Sequence, residues 1–159
     1  MERNLYLMKF EEVVKGADKI ARQIKNKGLK FDVIVPLLKG GLTFACLVGD
    51  RIGVSDYSCL HLKSAVNSGQ NAELKEPINL GITNEQVLKD KKVLIVDDIC
   101  DTGRSMILAK KVIKEFGAKE VFNVTLVNVN KNMLHEDDFM YALDFSNENY
   151  WIVFPWEMA

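Results

Sequence analysis

At 159 residues, 48% hydrophobic and 27% charged with a formal net charge of −1, the chain suits one globular domain rather than a disordered segment. That charge argues against a broad basic surface for nucleic acid, and no apolar run approaches the roughly 20 residues of a membrane span. The N-terminal residues lack the apolar core of a signal peptide, and Cys46, Cys59 and Cys100 form no C-x-x-C pair. The expectation is a cytoplasmic protein with reduced thiols, without a disulfide frame or a zinc site.

Residues 9–27 read as a helix. Phe10, Val13, Val14, Ala17, Ile20, Ala21 and Ile24 recur at three- and four-residue spacing, and Gly28 is a natural C-terminal stop. Residues 4–8 alternate too weakly to assign. Residues 31–38 form an apolar strand that runs into Lys39, Gly40 and Gly41, after which Leu42, Phe44, Ala45, Leu47 and Val48 begin a helix. Such a loop can hold an anion at the helix N-terminus. By itself Leu-Lys-Gly-Gly reads first as an ordinary tight turn, and it lacks the spacing of a nucleotide P-loop. Residues 54–62 read as another strand, less apolar because of Asp56 and Ser58, with His61 packed inside it. Residues 63–71 have the composition of a mobile loop. Residues 76–92, with Pro77, Gly81 and a polar run from Thr83 onward, suggest a connection containing a short strand at most.

Val93, Leu94, Ile95 and Val96 predict a strand buried on both faces, the habit of a parallel sheet. Asp97 and Asp98 follow, then a turn containing Asp101, Thr102, Gly103 and Ser105. Met106, Ile107, Ala109, Val112 and Ile113 then set a helical pattern that Gly117 ends. Strand, polar turn and helix N-terminus present free backbone N–H groups and a positive dipole end to a phosphate. Gly103 allows close backbone approach, while Thr102 and Ser105 add hydroxyl donors. The paired carboxylates suit ribose hydroxyls or a divalent metal carried by a phosphorylated substrate. Adjacent acids after a strand are equally a loop start and a helix N-cap. Cys100 reads as a small buried hydrophobe rather than a nucleophile.

Residues 121–129 form the next strand. His135 belongs to a polar, solvent-exposed loop over residues 130–138, and neither histidine is assigned to catalysis. The aromatic tail, from Tyr150 through Trp151 to Trp156, has the composition of a terminal core strand at least as much as of a binding site. No repeat or linker marks a second domain, so residues 1–159 read as one unit. Repeated strand–helix alternation predicts an α/β fold, an open, mainly parallel twisted sheet flanked by helices, with ligands at the carboxyl ends of its strands.

Residues 93–105 resemble the ribose-phosphate signature of type I phosphoribosyltransferases: four apolar residues, two acids, two apolar residues, then Asp-Thr-Gly-x-Ser/Thr. Cys100 stands where an aliphatic residue is usual. Lys39, Gly40 and Gly41 resemble the pyrophosphate loop of that family. The tail pattern Trp-Ile-x-x-Pro-Trp-Glu is similar to that of the small 6-oxopurine enzymes, the xanthine-guanine and hypoxanthine-guanine phosphoribosyltransferases.

The resemblance implies purine salvage: transfer of a 5-phosphoribosyl group from phosphoribosyl diphosphate to guanine, xanthine or hypoxanthine, with Mg²⁺ as cofactor. It implies that Leu38, Lys39, Gly40 and Gly41 hold the diphosphate, with a cis Leu38–Lys39 peptide turning backbone N–H groups toward it. Asp97, Asp98, Asp101, Thr102, Gly103, Arg104 and Ser105 would hold the rest of phosphoribosyl diphosphate. Asp101 would be the catalytic group, sharing a proton at purine N7. Asp97, Asp98 and Glu157 would accompany the metal. Trp151 would stack on the base and Ile152 would bind its edge through backbone. Residues 63–76 become a lid and residues 130–159 a base-binding tail. Relatives commonly form dimers or tetramers, so a homo-oligomer is implied.

Three departures bear on this. Val129 stands where the family places a lysine that donates to the purine 6-oxygen; Lys131, two residues on, either takes that role or is a surface lysine of its loop. In the lid, Ala65 and Ala72 replace a tyrosine and an arginine, leaving Lys63 and Lys75 as cationic candidates. Transfer to another base, or a ligand-sensing regulator built on the same fold, are the alternative functions.

Overall fold

The computed structural model describes residues 2–65, 74–135 and 137–158. Along them run β1 (Asn4–Leu7), α1 (Phe10–Asn26), β2 (Val33–Leu38), α2 (Leu42–Ile52), β3 (Leu60–Ala65) and β4 (Leu74–Ile82). β5 (Lys92–Cys100), α3 (Arg104–Glu115), β6 (Glu120–Asn128), β7 (Phe139–Asp144) and β8 (Tyr150–Val153) complete the order. Six strands form one sheet in the order β4-β3-β2-β5-β6-β7, parallel throughout except for the antiparallel β3–β4 pair. This is the open, mainly parallel sheet flanked by helices that strand–helix alternation predicts.

The continuous apolar run of β5 is explained by layers on both sides. Leu94 and Val96 join a core with Val13, Ala17 and Ile20 of α1 and Phe44 and Val48 of α2. Val93 and Ile95 face the other way, into a second core with Ala109, Val112 and Ile113 of α3. A strand in that position has no polar face to show. α1 reaches the sheet closely because Gly16 has no side chain; a Cβ there would overlap Leu126 Cδ1 and lie 3.3 Å from Ala142 Cβ. The same helix is tied to β7: Lys19 Nζ donates to the Ala142 carbonyl at 2.7 Å and Gln23 Nε2 to that of Tyr141 at 3.4 Å.

Several local expectations are corrected. The strand predicted over residues 54–62 starts only at Leu60. Before it, Ile34 directs its N–H and C=O toward Asp56 and Ser58, so Pro36, two residues on, would offer its N–H to the same side and has none. The ladder resumes at Leu37 with Leu60. His61 is exposed on β3 rather than packed. Residues 74–82, expected as the end of the lid and a connection with a short strand at most, are a nine-residue strand; its place at the sheet edge tolerates Pro77. Residues 4–7, left unassigned, form β1, which pairs in parallel with β8 as a separate two-stranded sheet. Residues 66–73 of the expected lid, Ala72 among them, lie outside the described residues. No helix among the described residues is long and apolar enough to cross a membrane.

Candidate active site

Parallel pairing of β2 with β5, in register from Val33 with Val93 to Pro36 with Val96, brings the carboxyl ends of these two strands side by side. Each end turns through a glycine-bearing loop into a helix, so two helix N-termini converge on one place. Between them lies a cavity of about 760 Å³.

One wall is the loop after β2. The Leu38–Lys39 peptide is cis, as the resemblance implies. Gly41 donates its N–H to Leu37 O at 3.0 Å and caps α2. The loop lies hard against β5, which only glycine permits. A Cβ on Gly41 would lie 2.9 Å from Asp97 Cα, and one on Gly40 would lie 2.8 Å from Asp98 Cγ. The diphosphate-loop candidates Leu38, Lys39 and Gly40 line the cavity, and Gly41 stands behind them as the cap.

The opposite wall is the end of β5 and the turn into α3. Asp97, Asp98, Asp101, Thr102, Gly103, Arg104 and Ser105 all line the cavity. Gly103 takes φ +82°, a left-handed conformation that favours glycine, and this sharp turn starts α3 at Arg104. Thr102 Oγ1 accepts from the Arg104 N–H at 3.3 Å, and Ile107 N–H donates to Gly103 O at 3.0 Å. Arg104 Nη1 lies 3.4 Å from Glu76 Oε1 on β4, an exposed pair of little energetic consequence. Cys100 is buried with Met106 and Phe139, and burial pushes its thiol up to about 12. That is the inert hydrophobe expected.

The acids are electrostatically tense. Asp97 Oδ1 accepts the Asp98 N–H at 2.8 Å. Burial, with the neighbouring charge of Asp98 adding, holds the Asp97 carboxyl well above the usual carboxylate range. Asp98 is pushed up to about 6 by burial, with the charge of Glu157 adding. Glu157 reaches this wall through the tail: its Oε2 accepts the Phe154 N–H at 2.9 Å, and it lines the cavity beside Trp156. Among the described residues no three acidic, histidine or cysteine side chains form a metal-holding group by themselves. A hard cation that takes one or two carboxylates and completes its shell with substrate oxygens fits this acid set.

The base-site candidates lie elsewhere on the tail. Trp151 and Ile152 are on β8, in register with Leu5 and Tyr6 of β1, and neither lines the cavity. Ile152 faces the core, and Trp151 is half-buried on the other face of that small sheet. Lys131 is exposed at the start of a 3₁₀ turn over Lys131–His135. Val129 packs partly against the core and donates its N–H to Cys100 O at 3.0 Å. The cavity wall also holds Trp156, to which the sequence reading gave no role. Its ring stacks on Phe154 with centroids 5.0 Å apart and planes 3° from parallel. Two aromatics either side of a proline were the available signal. Lys63, a lid candidate, lines the cavity as well.

The family model for the phosphoribosyl transferase domain matches residues 7–159. Hypoxanthine-guanine phosphoribosyltransferase of Rattus norvegicus is 27% identical over 162 residues, covering 87% of this chain and 72% of the relative. Ribose-phosphate pyrophosphokinase of Pyrococcus abyssi is 36% identical over 108 residues, 68% of this chain; the match spans only 34% of that protein's length. Among solved structures, the purine phosphoribosyltransferase of Pyrococcus horikoshii Ot3 superposes with a TM-score of 0.76 at 26% identity, covering 98% of this chain and 95% of the other.

Proposed function

Since the chain belongs to the phosphoribosyltransferase family, we propose that it transfers the 5-phosphoribosyl group of phosphoribosyl diphosphate to a 6-oxopurine base, giving the mononucleotide and pyrophosphate. The observation that carries this is the single cavity in which the Lys39–Gly40 loop, Asp97 and Asp98, and the 101–105 turn at the α3 N-terminus face one another. A diphosphate, a ribose and a 5′-phosphate need these three kinds of partner. The solved purine phosphoribosyltransferase and the hypoxanthine-guanine relatives support a purine as acceptor.

In the reaction the bond from C1 of the ribose to the diphosphate oxygen breaks with its electron pair on the oxygen. Base N9 bonds to C1, and the base loses a proton. Positive charge develops on the sugar at the transition state, and Asp97 and Asp98 would stabilise it. Lys39 contributes a cation to the leaving diphosphate, and backbone N–H groups at the start of α3 receive the 5′-phosphate. Asp101, exposed at the cavity rim, would share the proton at N7 and raise the nucleophilicity of N9. Mg²⁺, when bound by Asp97, Asp98 and Glu157 together with substrate oxygens, would neutralise charge on the leaving group. Trp151, Ile152 and Lys131, which stand outside the cavity wall, are the base contacts that the family resemblance supplies.

The test is pyrophosphate release from phosphoribosyl diphosphate and Mg²⁺ with a panel of bases. Turnover of guanine, xanthine or hypoxanthine is expected. Turnover confined to other bases corrects the acceptor, and none with any base removes the reading. If Trp151 stacks on the base, Trp151→Ala raises KM for the base more than KM for phosphoribosyl diphosphate, by an amount on the order of 1 kcal/mol. Equal rises would mean lost packing.

A further inference from the structure

β6 carries two buried polar atoms that the site's chemistry does not use. Thr125 is fully buried, and its Oγ1 has no hydrogen-bond partner. Asn123, two residues earlier on the same face, is 4% exposed with its Oδ1 likewise unpartnered. A buried hydroxyl without a partner is uncommon and calls for a physical reason. Register supplies one. Thr125 pairs directly with Asp97 across the parallel β5–β6 ladder, so the two side chains leave the sheet on the same face from strands about 4.8 Å apart. Of the residues paired with Thr125, Asp97 on one side and Tyr141 on the other, Asp97 alone carries a carboxylate, and it lines the cavity. In this structure that carboxylate turns forward, its Oδ1 accepting the Asp98 N–H.

We propose that Thr125 is a positioning residue for Asp97: its hydroxyl donates to the Asp97 carboxylate when the sugar-phosphate substrate occupies the cavity. This rests on the reading of the cavity as a phosphoribosyl diphosphate site. The hydroxyl has no hydrogen-bond partner within the fold, and the Asp97 carboxylate is the acceptor that register sets beside it. Thr125 touches no substrate atom; it fixes the rotamer of the carboxylate that does.

The variant that isolates the hydroxyl is Thr125→Val, nearly the same shape without the donor, with Thr125→Ser restoring it. Calorimetric titration with Mg²⁺ and phosphoribosyl diphosphate, without base, reads affinity independently of turnover. Thermal unfolding of the ligand-free protein reads the fold. The expected result is a Kd raised at least 5-fold in Thr125→Val, an unfolding temperature equal to or above the parent's, and affinity within 2-fold of the parent in Thr125→Ser. In turnover, KM for phosphoribosyl diphosphate rises while KM for the base stays put. Thr125→Ala, run alongside, carries the same expectation for Kd should the valine variant not fold. Parental affinity in both Thr125→Val and Thr125→Ala overturns the inference, as does a lower unfolding temperature with unchanged Kd, the pattern of a buried water bridging Thr125 and Asn123. If the parent itself does not bind phosphoribosyl diphosphate, the functional reading fails, and this inference with it.

Discussion

Asp98 concentrates the conflict between folding and binding in one side chain. Its carboxyl is pushed up to about 6 by burial and by Glu157, against about 3.9 for an unfolded aspartate. A carboxyl raised in the folded state favours folding in its protonated form. Its contribution is fully present below about pH 4 and lost as pH rises through about 6. Asp98→Asn, nearly isosteric and always neutral, is therefore expected to unfold at a higher temperature than the parent at pH 7, with the difference shrinking toward pH 4. On the proposed reaction the same change is expected to lower turnover about 10²-fold or more, because it would remove charge that stabilises the ribose transition state. Thermal unfolding at the two pH values and a steady-state assay check both halves. Near-parental activity would take Asp98 out of the mechanism.

Between elements, Glu12 is the joint that ties the N-terminal strand to the first helix. Its Oε2 accepts the Lys9 N–H at 2.8 Å, and its Oε1 accepts the Tyr6 hydroxyl. An acid in the first turn also suits the positive end of α1. Tyr6 packs against Phe145 and Tyr150, so the joint holds β1 onto β8 and the tail that leads to Glu157. The hydrogen bond to Glu12, with burial adding, pushes the Tyr6 phenol up to about 12. The bond's stabilisation is thus present below pH 10 and lost as pH rises from about 10 through about 12. Tyr6→Phe is expected to cost about 1 kcal/mol at pH 7. The parent's lead in unfolding temperature should then vanish by about pH 12. An unchanged stability at pH 7 would mean that the ring packing alone holds the strand.

At the scale of the molecule, two apolar layers on either side of one sheet hold the strand ends in place, and the site is built on those ends. Helix α1 approaches the sheet closely at Gly16, where any side chain meets Leu126 and Ala142. Gly16→Val is expected to destabilise the fold by about 1–3 kcal/mol through overpacking. Phosphoribosyl diphosphate affinity of the folded fraction should be unchanged, since Gly16 lies in the core away from the cavity wall. Denaturant unfolding followed by titration at low temperature separates these effects. A loss of affinity without a loss of stability would show that the α1 layer is coupled to the site.

Much of this protein is legible in the residue order because the signals are local. Four aliphatics before Asp97 announce a strand buried on both faces, and the turn from Asp101 to Ser105 announces a helix start open to phosphate, each within a dozen residues. The helical period of α1 and the loop at Lys39 are readable for the same reason. What tertiary structure decided are the pairings between distant residues. β1 finds β8 across nearly the whole chain, and Pro36 of β2 delays the start of β3. β4 survives Pro77 only because its place is an edge. The cavity wall takes Trp156 rather than Trp151, and Glu157 raises the Asp98 carboxyl from 59 positions away in the chain. Periodicity and turn chemistry report a residue's own strand or helix. Register, edge position and through-space charge depend on which strands become neighbours, and that is settled only when the two core layers close on the sheet.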